Sequence, residues 1–129
     1  MKARHVYSRV SVEADMETLA EARQVTAAVL RALRDRLTPD EADQAAAQLP
    51  RELKSLWRTG ARPVRQPLKM HRREFLDRVR REAELKSLSQ AALAADAVFA
   101  ALKEQLSEGE AEDIVAQLPR DLKAAWTRA

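Results

Sequence analysis

Few residues in this chain are of types that do chemistry, and their spacing narrows the choice further. The two histidines, His5 and His71, have no second histidine and no cysteine at metal-ligand spacing. The i, i+3 pair His71–Glu74 is a poor start for a transition-metal site. Acids gather in two runs: Asp40, Glu41 and Asp43, then Glu108, Glu110, Glu112 and Asp113. Carboxylates on facing helices hold paired metals in some bundles, but those sites add a Glu-x-x-His arrangement that is missing here, as is the EF-hand spacing. Acids at helix starts complement the helix dipole and stay in water, which accounts for both runs without a metal. Ser8, Ser11 and Ser55 have no base placed beside them, and two glycines cannot build a phosphate-cradling loop. No P-loop, G-x-G-x-x-G or G-x-S-x-G string occurs. These readings lead to an expectation of no catalytic residue, no cofactor and no metal, and hence no enzyme activity.

Two features remain as candidates for binding. From Arg58 to Arg81, nine basic residues stand against Glu74 and Asp77, about +7 in a chain of net charge +3, so the remainder carries about −4. Arg58, Arg62, Arg65, Lys69, Arg72, Arg73, Arg80 and Arg81 are therefore candidate contacts for an anion, a nucleic acid or an acidic partner. The alternative is a solvated linker and outer helix face, since Arg72, Arg73, Arg80 and Arg81 avoid the apolar face made by Phe75, Leu76 and Val79. That arginine face carries no aromatic residue, so a base-stacking platform is not expected. The second feature is the string Ala-Gln-Leu-Pro-Arg-x-Leu-Lys-x-x-Trp, present at 47–57 and again at 116–126. It is either a recognition motif or a helix–break–helix corner. In the corner reading Leu49, Trp57, Leu118 and Trp126 fill the core, Pro50 and Pro119 make the break, and Gln48 or Gln117 satisfies backbone groups exposed there. The corner reading is preferred.

The doubling of that string extends to nearly the whole chain. Shifted by 69 positions, residues 2–60 lie over 71–129 without a gap, with 22 identities in 59 pairs. Each copy reads as four helices. The first covers about 3–14 and 71–84, with Val6, Tyr7, Val10 and Ala14, or Phe75, Leu76, Val79 and Ala83, at helical spacing. The second starts at a capping pair, Thr18 with Glu21 or Ser87 with Gln90. Its apolar stripe is Leu19, Ala22, Thr26, Val29, Leu30, Leu33 and Leu37, mirrored by Leu88, Ala91, Ala95, Val98, Phe99, Leu102 and Leu106. The third opens on Thr38-Pro39-Asp40-Glu41, with proline where its missing N–H costs nothing, or on Ser107-Glu108-Gly109-Glu110. Pro50 and Pro119 stop it and suit the first turn of the fourth, which carries Leu53, Leu56 and Trp57 or Leu122, Ala125 and Trp126.

The expected fold is thus all-α: two tandem four-helix repeats, about eight helices, sharing one core around a pseudo-twofold axis. The chain, 1–129, reads as one domain made of repeat one (2–60), a basic proline-containing connection (61–70) and repeat two (71–129). Composition agrees, with 46% hydrophobic and 33% charged residues, 4% aromatic and only two glycines. There is no cysteine, so disulfides and thiolate chemistry are out. The N-terminus lacks the apolar run of a signal peptide and no stretch approaches about 20 apolar residues, so a cytoplasmic, non-membrane protein is expected.

The string Glu-Ala-x-x-x-x-Ala-Gln-Leu-Pro, preceded by Leu-[Thr/Ser]-x-x and followed by Leu-Lys-x-x-Trp, resembles the bacterial family catalogued as domain of unknown function 2267. Phe75-Leu76-Asp77-Arg78-Val79 resembles that family's opening helix, where the first copy has Val6-Tyr7-Ser8 instead of Phe75-Leu76-Asp77. The resemblance covers both copies and implies a duplicated all-helical domain, with no established activity and no catalytic residues to carry over. The leading functional expectation is a binding or regulatory module acting by protein–protein contact with an unknown protein partner, as a possible homodimer, and it calls for an exposed apolar patch. Nucleic-acid binding through 58–81 is the first alternative. A small-ligand or enzyme site between the repeats is the second.

Overall fold

The computed structural model describes residues 3–60 and 66–129. These form eight α-helices and, among the described residues, no strand. In chain order they are α1 (Ala3–Glu13), α2 (Leu19–Arg36), α3 (Pro39–Ala47), α4 (Arg51–Arg58), α5 (Arg72–Glu82), α6 (Leu88–Gln105), α7 (Glu108–Ala116) and α8 (Arg120–Arg128). The starts at 3, 19, 39 and 51 recur 69 residues later at 72, 88, 108 and 120. No helix among the described residues is long and apolar enough to cross a membrane.

Local chemistry sets these boundaries. The hydroxyls of Thr18, Thr38, Ser87 and Ser107 each accept from the backbone N–H three residues on, satisfying a donor that the first helical turn leaves free. Pro50 and Pro119 stand as the cap residues of α4 and α8 in extended backbone, one place before the first turn expected for them. The long helices α2 and α6 lie against each other at the centre. Helices α1 and α5 each rest on both of them, α4 packs on α2, α8 on α6, and α3 packs on α7. Alanine dominates the central faces, with Ala22, Ala28 and Ala32 on α2 and Ala91, Ala94, Ala97 and Ala101 on α6 all buried, so the two backbones can approach closely. Buried residues of all eight helices join one hydrophobic cluster, which includes Leu49, Trp57, Leu118 and Trp126.

The chain leaves α1 and α5 through the same turn. Met16 N–H donates to Ser11 O at 2.8 Å and Leu85 N–H to Arg80 O at 2.8 Å, which places Asp15 and Glu84 in left-handed backbone at φ 55° and 56°. A residue with a Cβ is strained in that region. Asp15→Gly and Glu84→Gly are each expected to stabilise the fold by about 0.5–1 kcal/mol in urea unfolding. A loss of stability on either change would show that the side chain makes a contact worth more than the strain.

Candidate functional site

The signature glutamines act across the molecule. The breaks after α3 and α7 close on backbone alone: Gln48 N–H donates to Ala45 O at 3.1 Å and Gln117 N–H to Ile114 O at 3.0 Å. Each glutamine side chain is therefore free to reach the opposite repeat. Thr38 N–H donates to Gln117 Oε1 at 2.9 Å, and Gln117 Nε2 donates to Thr38 Oγ1 at 3.2 Å. Ser107 N–H donates to Gln48 Oε1 at 2.7 Å, and Gln48 Nε2 donates to Ser107 Oγ at 3.3 Å. The expectation that these side chains serve the local break is corrected. They close the N-cap of the facing helix, because α3 and α7 run antiparallel and bring each C-terminus to the other's start. Trp57 and Trp126 are buried, so neither indole offers a recognition surface.

Charged side chains fill other joints. Arg34 on α2 donates to Trp57 O and Thr59 O, both at 2.8 Å, and Lys103 on α6 donates to Trp126 O at 2.7 Å and Ala129 O at 2.6 Å. A cation thus sits at the carbonyl end of α4 and of α8, where the helix dipole favours it. Asp35 receives Arg34 Nε at 2.8 Å and Arg78 Nη2 at 2.8 Å, with its side chain only 8% exposed. Burial pushes its carboxyl up, but the hydrogen bonds from Arg34 and then Arg78 outweigh that, and the carboxyl ends below its ordinary value. The counterpart on the other side is Glu104, which pairs with Arg9 of α1.

Several members of the basic segment are already ion-paired. Arg80 and Arg81 share the Asp77 carboxylate at 2.9 and 3.0 Å, and Arg78 is committed to Asp35 and Glu82. Arg58, Lys69 and Arg73 are exposed, Arg72 is half-buried, and none of these four has an ion pair among the described residues. Arg62 and Arg65 lie outside the described residues. Glu74 accepts from the His71 backbone N–H at 3.0 Å, so the i, i+3 pair serves the start of α5.

His5 and Ser8 face an open groove with Arg9, Val12, Glu13 and Glu104, but Arg9 engages both carboxylates there. A second open groove over α2 is lined by Arg23, Gln24, Arg31, Leu56 and Glu82 among others. Beside it the Tyr7 phenol is pushed up to about 12 by burial and then by the Glu52 carboxylate. The large hydrophobics exposed among the described residues are Val12, Leu19 and Leu93, one on each of three helices. That is sparse for the apolar patch expected of a protein contact.

One expectation fails in the acid runs. Asp40, Asp43, Glu108, Glu112 and Asp113 are exposed, as helix-start acids should be. Glu41 and Glu110 are buried, because they sit on the faces where α3 and α7 pack together. Oε2 of each has no hydrogen-bond partner. With Asp113 they present carboxylate oxygens that all lie within 4.8 Å of one another. Burial, then the Asp113 charge, raises the Glu110 carboxyl above its ordinary value. The sequence did hold a signal for this pair. At the acidic positions of α3 and α7, only Glu41 recurs unchanged 69 residues on.

Among known proteins, the family model described as Uncharacterized conserved protein (DUF2267) matches residues 3–125. No curated protein matches the chain.

Proposed function

The chain belongs to the DUF2267 family of uncharacterized conserved proteins, and from that premise we propose that it is a non-catalytic helical module acting by protein–protein contact. Its two repeats are related by a pseudo-twofold axis passing between α2 and α6. Four reciprocal features support the axis: the Thr38–Gln117 and Ser107–Gln48 clips, the Arg78–Asp35 and Arg9–Glu104 pairs, the Arg34 and Lys103 caps, and the turns at Asp15 and Glu84.

The observation that carries the functional reading is where the shared polar residues go. Five pairs of repeat-equivalent polar side chains, Arg9 and Arg78, Arg34 and Lys103, Asp35 and Glu104, Thr38 and Ser107, and Gln48 and Gln117, close joints between helices, and the helices of the α2–α6 seam bury Ala22, Ala28, Val29, Ala94, Ala97 and Val98. A substrate pocket needs convergent polar groups in a concave space, and that seam offers neither. Contact then falls to the outer surface, where Arg58, Lys69 and Arg73 are cations free to meet an acidic protein. The pairing of Arg78, Arg80 and Arg81 with the chain's own carboxylates weighs against a phosphate-tracking stripe.

Affinity capture on the whole chain, with and without nuclease, tests the reading. A partner protein that survives nuclease and is lost from an Arg58→Glu/Arg73→Glu variant is the expected result. Capture that vanishes with nuclease, together with a DNA or RNA mobility shift that fades steeply as salt rises, would replace it with nucleic-acid binding.

A further inference from the structure

Glu41 and Glu110 are left over by a purely structural role. Each is the third residue of its helix, α3 or α7. Their exposures are 7% and 6%, and each has a buried Oε2 without a donor. Asp113, one turn on from Glu110, completes a group of three carboxylates. No lysine or arginine pairs with any of the three among the described residues. Carboxylates held this close and this dry repel one another and have lost their water, so the arrangement demands a counter-charge.

We propose that Glu41, Glu110 and Asp113 bind one hard divalent cation, calcium in preference to magnesium, across the α3–α7 seam. The donor set is all oxygen, with no histidine or cysteine, which selects calcium, magnesium or manganese over zinc or copper. The oxygens here lie within 4.8 Å of one another, close enough for a single ion to reach all three. Magnesium demands near-ideal octahedral geometry and gives up its water reluctantly, whereas calcium accepts irregular oxygen sets, so calcium is the better fit. Asp113 is exposed, so the site has a wet side from which an ion can enter and keep some of its water. The repeat counterpart of Asp113 is Gln44. The third charge therefore lies on one side of the pseudo-axis, which makes room for a single ion rather than a symmetric pair. A cation there would tie α3 to α7 beside the glutamine clips and strengthen the joint between repeats.

Calcium titration of the chelator-stripped chain at about pH 7.5, read by calorimetry and thermal unfolding, tests the site. One-site binding and a rise in Tm of about 5 °C at saturation are expected, with a smaller rise for magnesium. Asp113→Asn, at an exposed position, should weaken calcium at least about tenfold without lowering the metal-free Tm. Glu110→Gln should abolish the calcium response while raising the metal-free Tm, because it removes a buried like charge. No binding heat and no Tm change with millimolar calcium, magnesium or manganese would overturn the proposal. Calcium binding by Asp113→Asn as tight as by the unaltered chain would overturn it too, since the ion would then sit elsewhere. A third result, indifference to cations with a Tm that climbs as pH falls from about 7 to 5 in the unaltered chain but not in Glu110→Gln, would replace the ion with a shared proton.

Discussion

Replacing Phe99 with alanine should cost about 4 kcal/mol of folding stability, the largest loss expected from any single side chain here. Phe99 has no exposure and sits at the hinge of an aromatic chain, 5.8 Å from the Phe75 ring and 5.2 Å from the Trp126 ring. Removing it strips contacts from both neighbours and leaves a cavity that α2 and α6 cannot close, because they already meet on alanine. A domain of this size is usually stable by about 5–15 kcal/mol, so Phe99→Ala will lie near the edge of folding. Phe99→Leu makes the sharper comparison. The repeat counterpart of Phe99 is Leu30, which is equally buried, and a leucine keeps most of the volume. It should cost only about 1–1.5 kcal/mol. Urea unfolding followed by the fluorescence of Trp57 and Trp126 reads both variants. A loss below about 1 kcal/mol for Phe99→Ala would mean that the aromatic chain is not packed as described.

That comparison also shows why so much of the fold was legible beforehand. Helix starts are written in short-range chemistry: a hydroxyl at Thr18, Thr38, Ser87 and Ser107, then an acid or amide three residues on. Proline at 50 and 119, three residues past the ends of α3 and α7, keeps either helix from running on. The stripes on α2 and α6 recur every three to four residues, so the buried face could be read without knowing what covers it. What lay beyond reach was which helix meets which. Glu41 and Asp40 are neighbours of the same chemical type, and only the packing of α3 on α7 separates a dry carboxylate from a wet one. The same holds for Gln48 and Gln117, whose partners stand 59 and 79 residues away in sequence. Arg34 and Lys103 stand beside apolar stripes, where sequence alone reads a cation as a solvent-facing residue. Their paired positions, 69 apart, were the available sign that both capped something.

Asp35→Asn should cost about 3 kcal/mol at neutral pH, whereas Glu104→Gln, its repeat counterpart, should cost less than about 1 kcal/mol. The difference is solvent. Asp35 and its partners Arg34 and Arg78 have side-chain exposures of 8%, 7% and 18%, while Glu104 and Arg9 stand at 43% and 31%. Asparagine leaves Arg34 with no balancing charge in a poorly hydrated joint and Arg78 with Glu82 alone, and it loosens the Arg34 cap on α4. On the exposed side, water takes over most of what Glu104 supplied. The pH dependence separates charge from shape. The Asp35 carboxyl is held below its ordinary value of 3.8, so the folded state binds its proton less readily than the unfolded chain does. Its contribution is complete above that ordinary value and disappears as pH falls through the lower, folded-state value. The stability gap between the unaltered chain and Asp35→Asn should therefore be flat from about pH 8 down to about pH 5 and then narrow steadily in acid. A gap that stayed constant into strong acid would mean that asparagine fails through its hydrogen bonds, and the cluster of Asp35 with Arg34 and Arg78 would owe little to charge.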